Sequence, residues 1–159
     1  MTQRSKGFTL VELLITVSLV AILAAIALPN FSGIIQNSRA DTEVSDLQRA
    51  LNFARLEAIN RGVSIQVRPL AEGAGWNTAL QVITTVQVPN PSPPLRVTAP
   101  MGTGAAVSVA PAAAFLEFNN LGGLQAAAPV VMTYTLGTLS RTLNLCLNGR
   151  IVLTGNCNG

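Results

Sequence analysis

The sequence predicts an α+β protein. A long N-terminal kinked helix, transmembrane in its first half, packs on a C-terminal antiparallel β-sheet or sandwich-like head. Three observations predict it. An apolar run from Phe8 to Leu28 contains one charged residue, Glu12, and no other charge follows until Arg39. A helical stripe of apolar residues then runs from Ala40 to Ala58. After Gly62 the pattern changes to short segments rich in Val, Ile and Thr, punctuated by Gly, Pro and Asn.

The apolar run holds about 21 residues and spans about 31 Å as a helix, the thickness of a bilayer core. Glu12 breaks it. An ionised carboxylate there costs roughly 2.5–3.5 kcal/mol in lipid, so it marks a functional position and needs a cationic partner. The leader before the run carries Arg4 and Lys6 and no acid, a flank expected to stay cytoplasmic. Ala25-Ile26-Ala27 also reads as a signal-peptidase site, which makes an ordinary cleaved signal peptide the competing reading. The length of the run and the acid inside it argue for an anchor instead.

Pro29 removes a helical hydrogen bond and predicts a kink. Beyond it, Ala40, Val44, Leu47, Leu51, Ala54 and Ala58 alternate in steps of four and three, the spacing of one helical face. Arg39/Glu43, Asp46/Arg49 and Glu57/Arg61 supply opposite charges at i,i+4 or i,i+3. Gly62 is a C-terminal stop. The helix is therefore expected from about Thr9 to Arg61, with its later stripe buried against the head.

In the head, Val63 to Arg68 alternates apolar and polar as a half-buried strand does. Trp76 to Val88, free of Gly and Pro, reads as one or two strands, and Trp76 as a core or sheet-edge anchor. The proline-dense segment Pro89 to Pro94 is a loop. Ala99 to Ala114 mixes Gly, Ala, Pro and Val and reads as short strands. Val130–Leu136 and Thr142–Leu147 are strands. Asn148-Gly149 reads as a two-residue type I′ hairpin turn leading into Arg150 to Leu153.

With 159 residues, 49% hydrophobic and 11% charged, the composition excludes a disordered chain. Beyond Gly7 the chain has a near-neutral balance of Arg against Asp and Glu, which gives little steering towards polyanions. There is no His, which removes the commonest general base and metal ligand. Glu72 and Glu117 stand apart in sequence, without the spacing of a catalytic pair. No nucleophile motif or metal spacing is present, so no enzyme, cofactor or metal is expected. Cys146 and Cys157 read as a disulfide if the head lies outside the cytoplasm. In a straight hairpin Cys146 faces Ile151, so bridging needs a second reversal, which Thr154-Gly155-Asn156 can supply.

Gly7-Phe8-Thr9-Leu10-Val11-Glu12-Leu13-Leu14-Ile15 resembles the class III signal of type IV pilins and type II secretion pseudopilins. The resemblance implies a type IV pilin-like fold, cleavage between Gly7 and Phe8 by a prepilin peptidase, and N-methylation of Phe8. It also implies that Glu12 pairs with the N-terminal amine of a neighbouring subunit, or its own. A proline after the membrane run recurs in such proteins, with the helix continuing past it. The implied organisation is a cleaved leader (1–7), a transmembrane and assembly helix (8–28), its periplasmic continuation (29–61) and a β-rich head (62–159). The implied setting is the bacterial inner membrane, with the N-terminus cytoplasmic and the head periplasmic, and then a pilus or pseudopilus. Implied partners are other major and minor pilins or pseudopilins, the prepilin peptidase/N-methyltransferase, an inner-membrane assembly platform and membrane lipid.

The stretch from Asp46 to Val63, with Ala54-Arg55-Leu56-Glu57-Ala58 before Arg61, resembles the helix-to-strand junction of GspH/FimT minor pseudopilins. Trp76, Phe118 with Gly122, and Gly149-Arg150 match later positions. This resemblance implies a non-enzymatic subunit that primes or caps a filament and supports pilus biogenesis or protein secretion. Some FimT-like pilins carry a Gly-Arg-x-Arg motif associated with DNA uptake. Here Gly149-Arg150-Ile151-Val152 has the first Arg and Val152 in place of the second. Arg141 and Arg150 are thus the candidate residues for an alternative role as a DNA-binding tip pilin.

Overall fold

The computed structural model describes residues 7–85 and 93–157, with the backbone alone for residues 26–31. One helix, α1, runs from Leu10 to Arg61. Thr9 starts it: its Oγ1 accepts the backbone N–H of Glu12 at 3.3 Å, satisfying one of the orphan donors of the first turn. The Thr-x-x-Glu spacing is that of a capping box, a signal the pattern of apolar residues had obscured. Gly62 ends the helix with φ +66, a left-handed conformation only glycine enters without strain. The leader residues 1–6 lie outside the described residues. So does the Pro29 side chain; the backbone assignment is helical on both sides of it.

The chain forms two compact units, one ending at Ser38 and the other running from Arg39 onward. The second contains the last part of α1 and eight strands among the described residues. They are β1 (Ile65–Pro69), β2 (Leu80–Thr84), β3 (Arg96–Val97), β4 (Ala105–Ala110), β5 (Leu116–Phe118), β6 (Val130–Leu136), β7 (Leu139–Leu145) and β8 (Ile151–Val152). They form two four-stranded sheets, ordered β3-β2-β1-β5 and β4-β6-β7-β8, and every pairing is antiparallel.

The predicted helical stripe is the floor of the core. Ala40, Ala54, Ala58 and Leu51 are fully buried, with Val44 and Leu47 nearly so. They join a single cluster with Ile65, Val67 and Val82 of one sheet, Met132, Tyr134, Leu143 and Leu145 of the other, and Phe118. The alanines let the sheets approach α1 closely, and the larger residues fill the space between. Trp76 is nearly buried and donates Nε1–H to the Ala113 carbonyl at 3.0 Å, so it anchors the core.

Four local expectations change. Trp76 to Ala79 is not strand; β2 begins at Leu80, because Asn77 and Thr78 turn the chain and Thr78 N–H bonds the Gly75 carbonyl. The end of that predicted segment, 86–88, lies outside the described residues. The Gly/Ala/Pro-rich stretch contains a six-residue strand, β4, in full register with β6. β7 starts at Leu139 rather than Thr142, because Gly137-Thr138 closes a tight hairpin with Leu136 opposite Leu139 and Gly137 at φ +58.

The Asn148-Gly149 turn also differs. Gly149 N–H bonds the Cys146 carbonyl at 2.8 Å and Cys146 N–H bonds the Arg150 carbonyl at 2.9 Å. Only Gly149 has positive φ (+78), whereas a type I′ turn needs it at Asn148 too. The loop is therefore three residues with a glycine bulge, and Cys146 faces Arg150 rather than Ile151. The second reversal does occur: Asn144 Nδ2–H bonds the Gly155 carbonyl at 2.8 Å, and Cys146 and Cys157 are joined by a disulfide.

Candidate assembly interface

The first unit is a helix whose apolar side chains, among the described residues, are largely exposed. Phe8 is 78% exposed, and Leu10, Val11, Leu13, Leu14, Ile15, Val17, Leu19, Val20, Ile22 and Leu23 are all more than half exposed. They lie on every side of the helix, which suits a lipid surround or the packed centre of an assembly rather than one protein face. The hydroxyls in the run are satisfied internally. Thr16 Oγ1–H donates to the Leu13 carbonyl at 2.8 Å and Ser18 Oγ–H to the Leu14 carbonyl at 2.7 Å, as a helix removed from water requires. Glu12 differs: its backbone N–H is used by the cap, while its exposed carboxylate has no partner among the described residues. Gly7 and Phe8 precede the helix in irregular, exposed backbone.

In the second unit, a polar cluster fastens α1 to the head. Glu43 Oε1 accepts from Arg39 Nε at 2.9 Å and from the Gly102 backbone N–H at 3.0 Å. Glu43 Oε2 accepts the Tyr134 hydroxyl at 2.8 Å, and Arg39 Nη2–H donates to the Thr103 carbonyl at 3.0 Å. Tyr134 is fully buried, and burial together with its bond to Glu43 pushes its hydroxyl up to about 12. Burial also raises the Glu43 carboxyl, but the bonds from Arg39, Gly102 and Tyr134 outweigh it and hold that carboxyl below its ordinary value. Sequence spacing had identified Arg39/Glu43 only as a surface ion pair; the bond to Tyr134 crosses 91 positions and leaves no local signal.

The positions that carried the second resemblance converge at the C-terminal end of α1. Arg55 Nε–H donates to the Gly122 carbonyl at 3.1 Å. A side chain on Gly149 would place Cβ 1.8 Å from that same carbonyl oxygen and 2.9 Å from Arg55 Nε. A helix, the 119–123 loop and the last hairpin thus share one close contact. The two candidate DNA-binding arginines are not brought together. Arg141 Nε–H donates to Asp41 Oδ1 at 2.8 Å. Arg150, opposite Cys146, lies five strand positions from Arg141, roughly 17 Å along the sheet, and its Nη2–H reaches the Asn156 carbonyl at 3.4 Å. Among the described residues no three His, Cys, Asp or Glu side chains group as a metal site.

An exposed apolar helix with one unmatched acid, continuing into a helix clasped by antiparallel sheets, defines a pilin-like filament subunit. The chain belongs to the family of the type II transport protein GspH, whose family model matches residues 43–150, and a prokaryotic N-terminal methylation motif matches residues 2–28. A fimbrial protein of Pseudomonas aeruginosa is 49% identical over 55 residues, covering 33% of this chain and 36% of that protein. The type IV major fimbrial protein FimA of Dichelobacter nodosus is 38% identical over 65 residues, 39% of this chain and 42% of that one. The chain thus spans about a third of the length of the first curated relatives it matches. The type IV minor pilin FimU of P. aeruginosa has a TM-score of 0.62 at 21% identity, covering 75% of this chain and 87% of its own. The minor pseudopilin EpsH of the type 2 secretion system of Vibrio cholerae has a TM-score of 0.53 at 16% identity, covering 74% and 97%. Both share the fold. Family and motif imply a membrane-anchored subunit of a pilus or pseudopilus. Among the described residues no helix is long and apolar enough to cross a membrane; described side chains of the run stop at Ala25.

Proposed function

We propose that this chain is a minor pilin or pseudopilin that primes or caps a filament. The proposed sequence of events begins in the inner membrane, where Phe8–Leu28 holds the subunit with its head in the periplasm. A prepilin peptidase/N-methyltransferase removes residues 1–7 and methylates Phe8. The assembly platform then draws the helix among those of other pilins or pseudopilins. The observation that carries this reading is Glu12, the one side chain in the apolar run whose polar atoms have no partner among the described residues. A neighbouring subunit's N-terminal amine, at the same depth, would neutralise it, so that the carboxylate is not left as an uncompensated charge in an apolar surround.

Processing is the direct test. The protein recovered from membranes of cells making prepilin peptidase is expected to have the mass of a chain beginning at N-methylated Phe8. The variant Gly7→Val is expected to retain the leader. Efficient processing of that variant, or a mature terminus at Leu28, would overturn the reading in favour of a different signal.

The alternative, a DNA-binding tip pilin, has weaker support: Arg141 is engaged by Asp41, and no aromatic side chain is interleaved with the arginines to stack bases. No gel shift with duplex DNA at low salt is expected.

A further inference from the structure

The end of the head where α1 stops carries an apolar projection that the assembly helix does not account for. Asn119 shapes it. Its Oδ1 accepts the backbone N–H of Leu121 at 3.0 Å and of Gly123 at 2.8 Å, and its carbonyl accepts Gly122 N–H at 2.8 Å. Gly122 adopts φ +79 in the same turn. Asn119 thus holds the loop through both its side chain and its carbonyl, yet Leu121 is 82% exposed, more than any other large apolar residue in the described chain. A leucine held out on a rigid turn loses little conformational freedom on binding.

Its surroundings are apolar at the centre and cationic at the edge. Ile59 lies within 2.6 Å of the Cβ position of Gly122, and the Leu147 carbonyl accepts the Leu124 N–H at 2.9 Å, so both flank the turn; each is 44% exposed. Arg55 borders them, half-buried. Its Nε is committed to the Gly122 carbonyl, and neither Nη has an acceptor among the described residues. Arg150 is exposed on the adjacent hairpin. Glu57, two positions from Arg55 and so on a different side of the helix, is paired with Arg61.

We propose that Leu121, with Ile59, Leu147 and Arg55, forms a second docking surface, which receives a different pilin-family subunit presenting an apolar hollow bordered by a carboxylate. The Arg55 fork suits a carboxylate held on both Nη groups. A second copy of this chain in a two-fold contact would set Arg55 and Arg150 against their own equivalents, a like-charge arrangement that disfavours self-association. A nucleic-acid partner would satisfy the arginines but leave the fixed leucine without a hollow to fill. This inference rests on the filament-subunit reading above and adds a lateral or axial neighbour at the head.

The test is photo-crosslinking in intact cells. A benzophenone amino acid replaces Leu121 in one full-length variant and Leu19 of the assembly helix in another, and adducts are identified by mass spectrometry. The Leu121 variant is expected to crosslink to a protein whose own sequence carries a prepilin-type signal. With the probe at Leu147, Leu121→Glu is expected to cut that adduct about tenfold or more, while Leu121→Lys, which keeps complementarity to a carboxylate, loses less. Adducts from Leu19 but none from Leu121 would overturn the docking surface and leave the filament reading standing. Absence of pilin-family adducts from both positions would sink both. A self-adduct, a protein without the signal, or equal losses for Leu121→Glu and Leu121→Lys would each overturn the proposed occupant.

Discussion

Replacing Tyr134 with Phe removes one oxygen from the centre of the head and tests how α1 is fastened to it. The Tyr134 hydroxyl donates to Glu43 Oε2 at 2.8 Å, and Tyr134 is fully buried. A hydrogen bond to a charged acceptor is worth about 1.5–3 kcal/mol. Glu43 keeps Arg39 Nε and the Gly102 N–H as donors, and its side chain is 15% exposed, so the lower figure applies. Tyr134→Phe is therefore expected to cost about 1.5 kcal/mol, lowering Tm by roughly 6 °C for a domain of this size. Glu43→Ala leaves both the hydroxyl and the Gly102 N–H without an acceptor and should cost about 3 kcal/mol. Trp76, the sole tryptophan and nearly buried, reports unfolding of the full chain in mild detergent by its fluorescence. Unchanged stability in Tyr134→Phe would refute the clasp.

The pH dependence follows from the same bond. Tyr134 is the only tyrosine in the chain, so an ultraviolet titration of the native protein reads it alone. The expected midpoint is about 12. A hydroxyl whose folded pKa is raised stabilises the fold fully below its ordinary value near 10, and that contribution is lost as pH rises from there towards 12. Glu43 has the opposite sign. Its folded pKa is lowered, so its contribution is present above the ordinary carboxyl range and is lost as pH falls through the depressed value. A tyrosine midpoint near 10 would contradict the burial and the Glu43 bond together.

Three further outcomes are expected. Gly149→Ala should destabilise by about 3 kcal/mol or prevent folding, because Cβ would meet the Gly122 carbonyl at 1.8 Å and φ is +78; near-native Tm would show the three-way contact to be loose. Removing the disulfide by Cys146→Ser with Cys157→Ser should cost about 3 kcal/mol in urea unfolding against the oxidised wild type, and reducing the wild type should cost about the same; equal stability of all three would show that the bridge contributes nothing. Arg150→Ala should change stability by less than about 0.5 kcal/mol, since its side chain makes one long bond at 3.4 Å.

What could be read from sequence depended on how local the cause was. The stripe from Ala40 to Ala58 was legible because helical burial repeats every few residues, and each member is buried as the spacing demands. β6 was legible from its Val/Thr/Tyr content. β4 was legible only as a short strand somewhere in Ala99 to Ala114: Ala105 to Ala110 has weak strand preference, and its length and register come from pairing with β6. The last hairpin was recognised as a turn but given the wrong loop length, because Asn-Gly serves a two-residue loop and a glycine-bulged loop alike. At the candidate interface, Glu12 stood out as one acid in an apolar run. Arg55 and Gly122 were singled out only by resemblance, and Gly149 otherwise only as a turn residue; their shared contact joins Arg55 to a carbonyl 67 positions away and leaves no local signal. The exposed Leu121 gave no signal, since a single leucine between Asn and Gly carries no period.

We propose that the apolar helix is an assembly handle whose register Glu12 sets. The most direct measurement is the partition of Glu12→Ala between the inner membrane and sheared filaments, by quantitative immunoblotting in cells that make the rest of the machine. Wild-type abundance in the membrane and about a tenfold or greater loss from the filament fraction are expected, because on this proposal the carboxylate serves contacts between subunits rather than insertion. Equal incorporation of Glu12→Ala and wild type would contradict it.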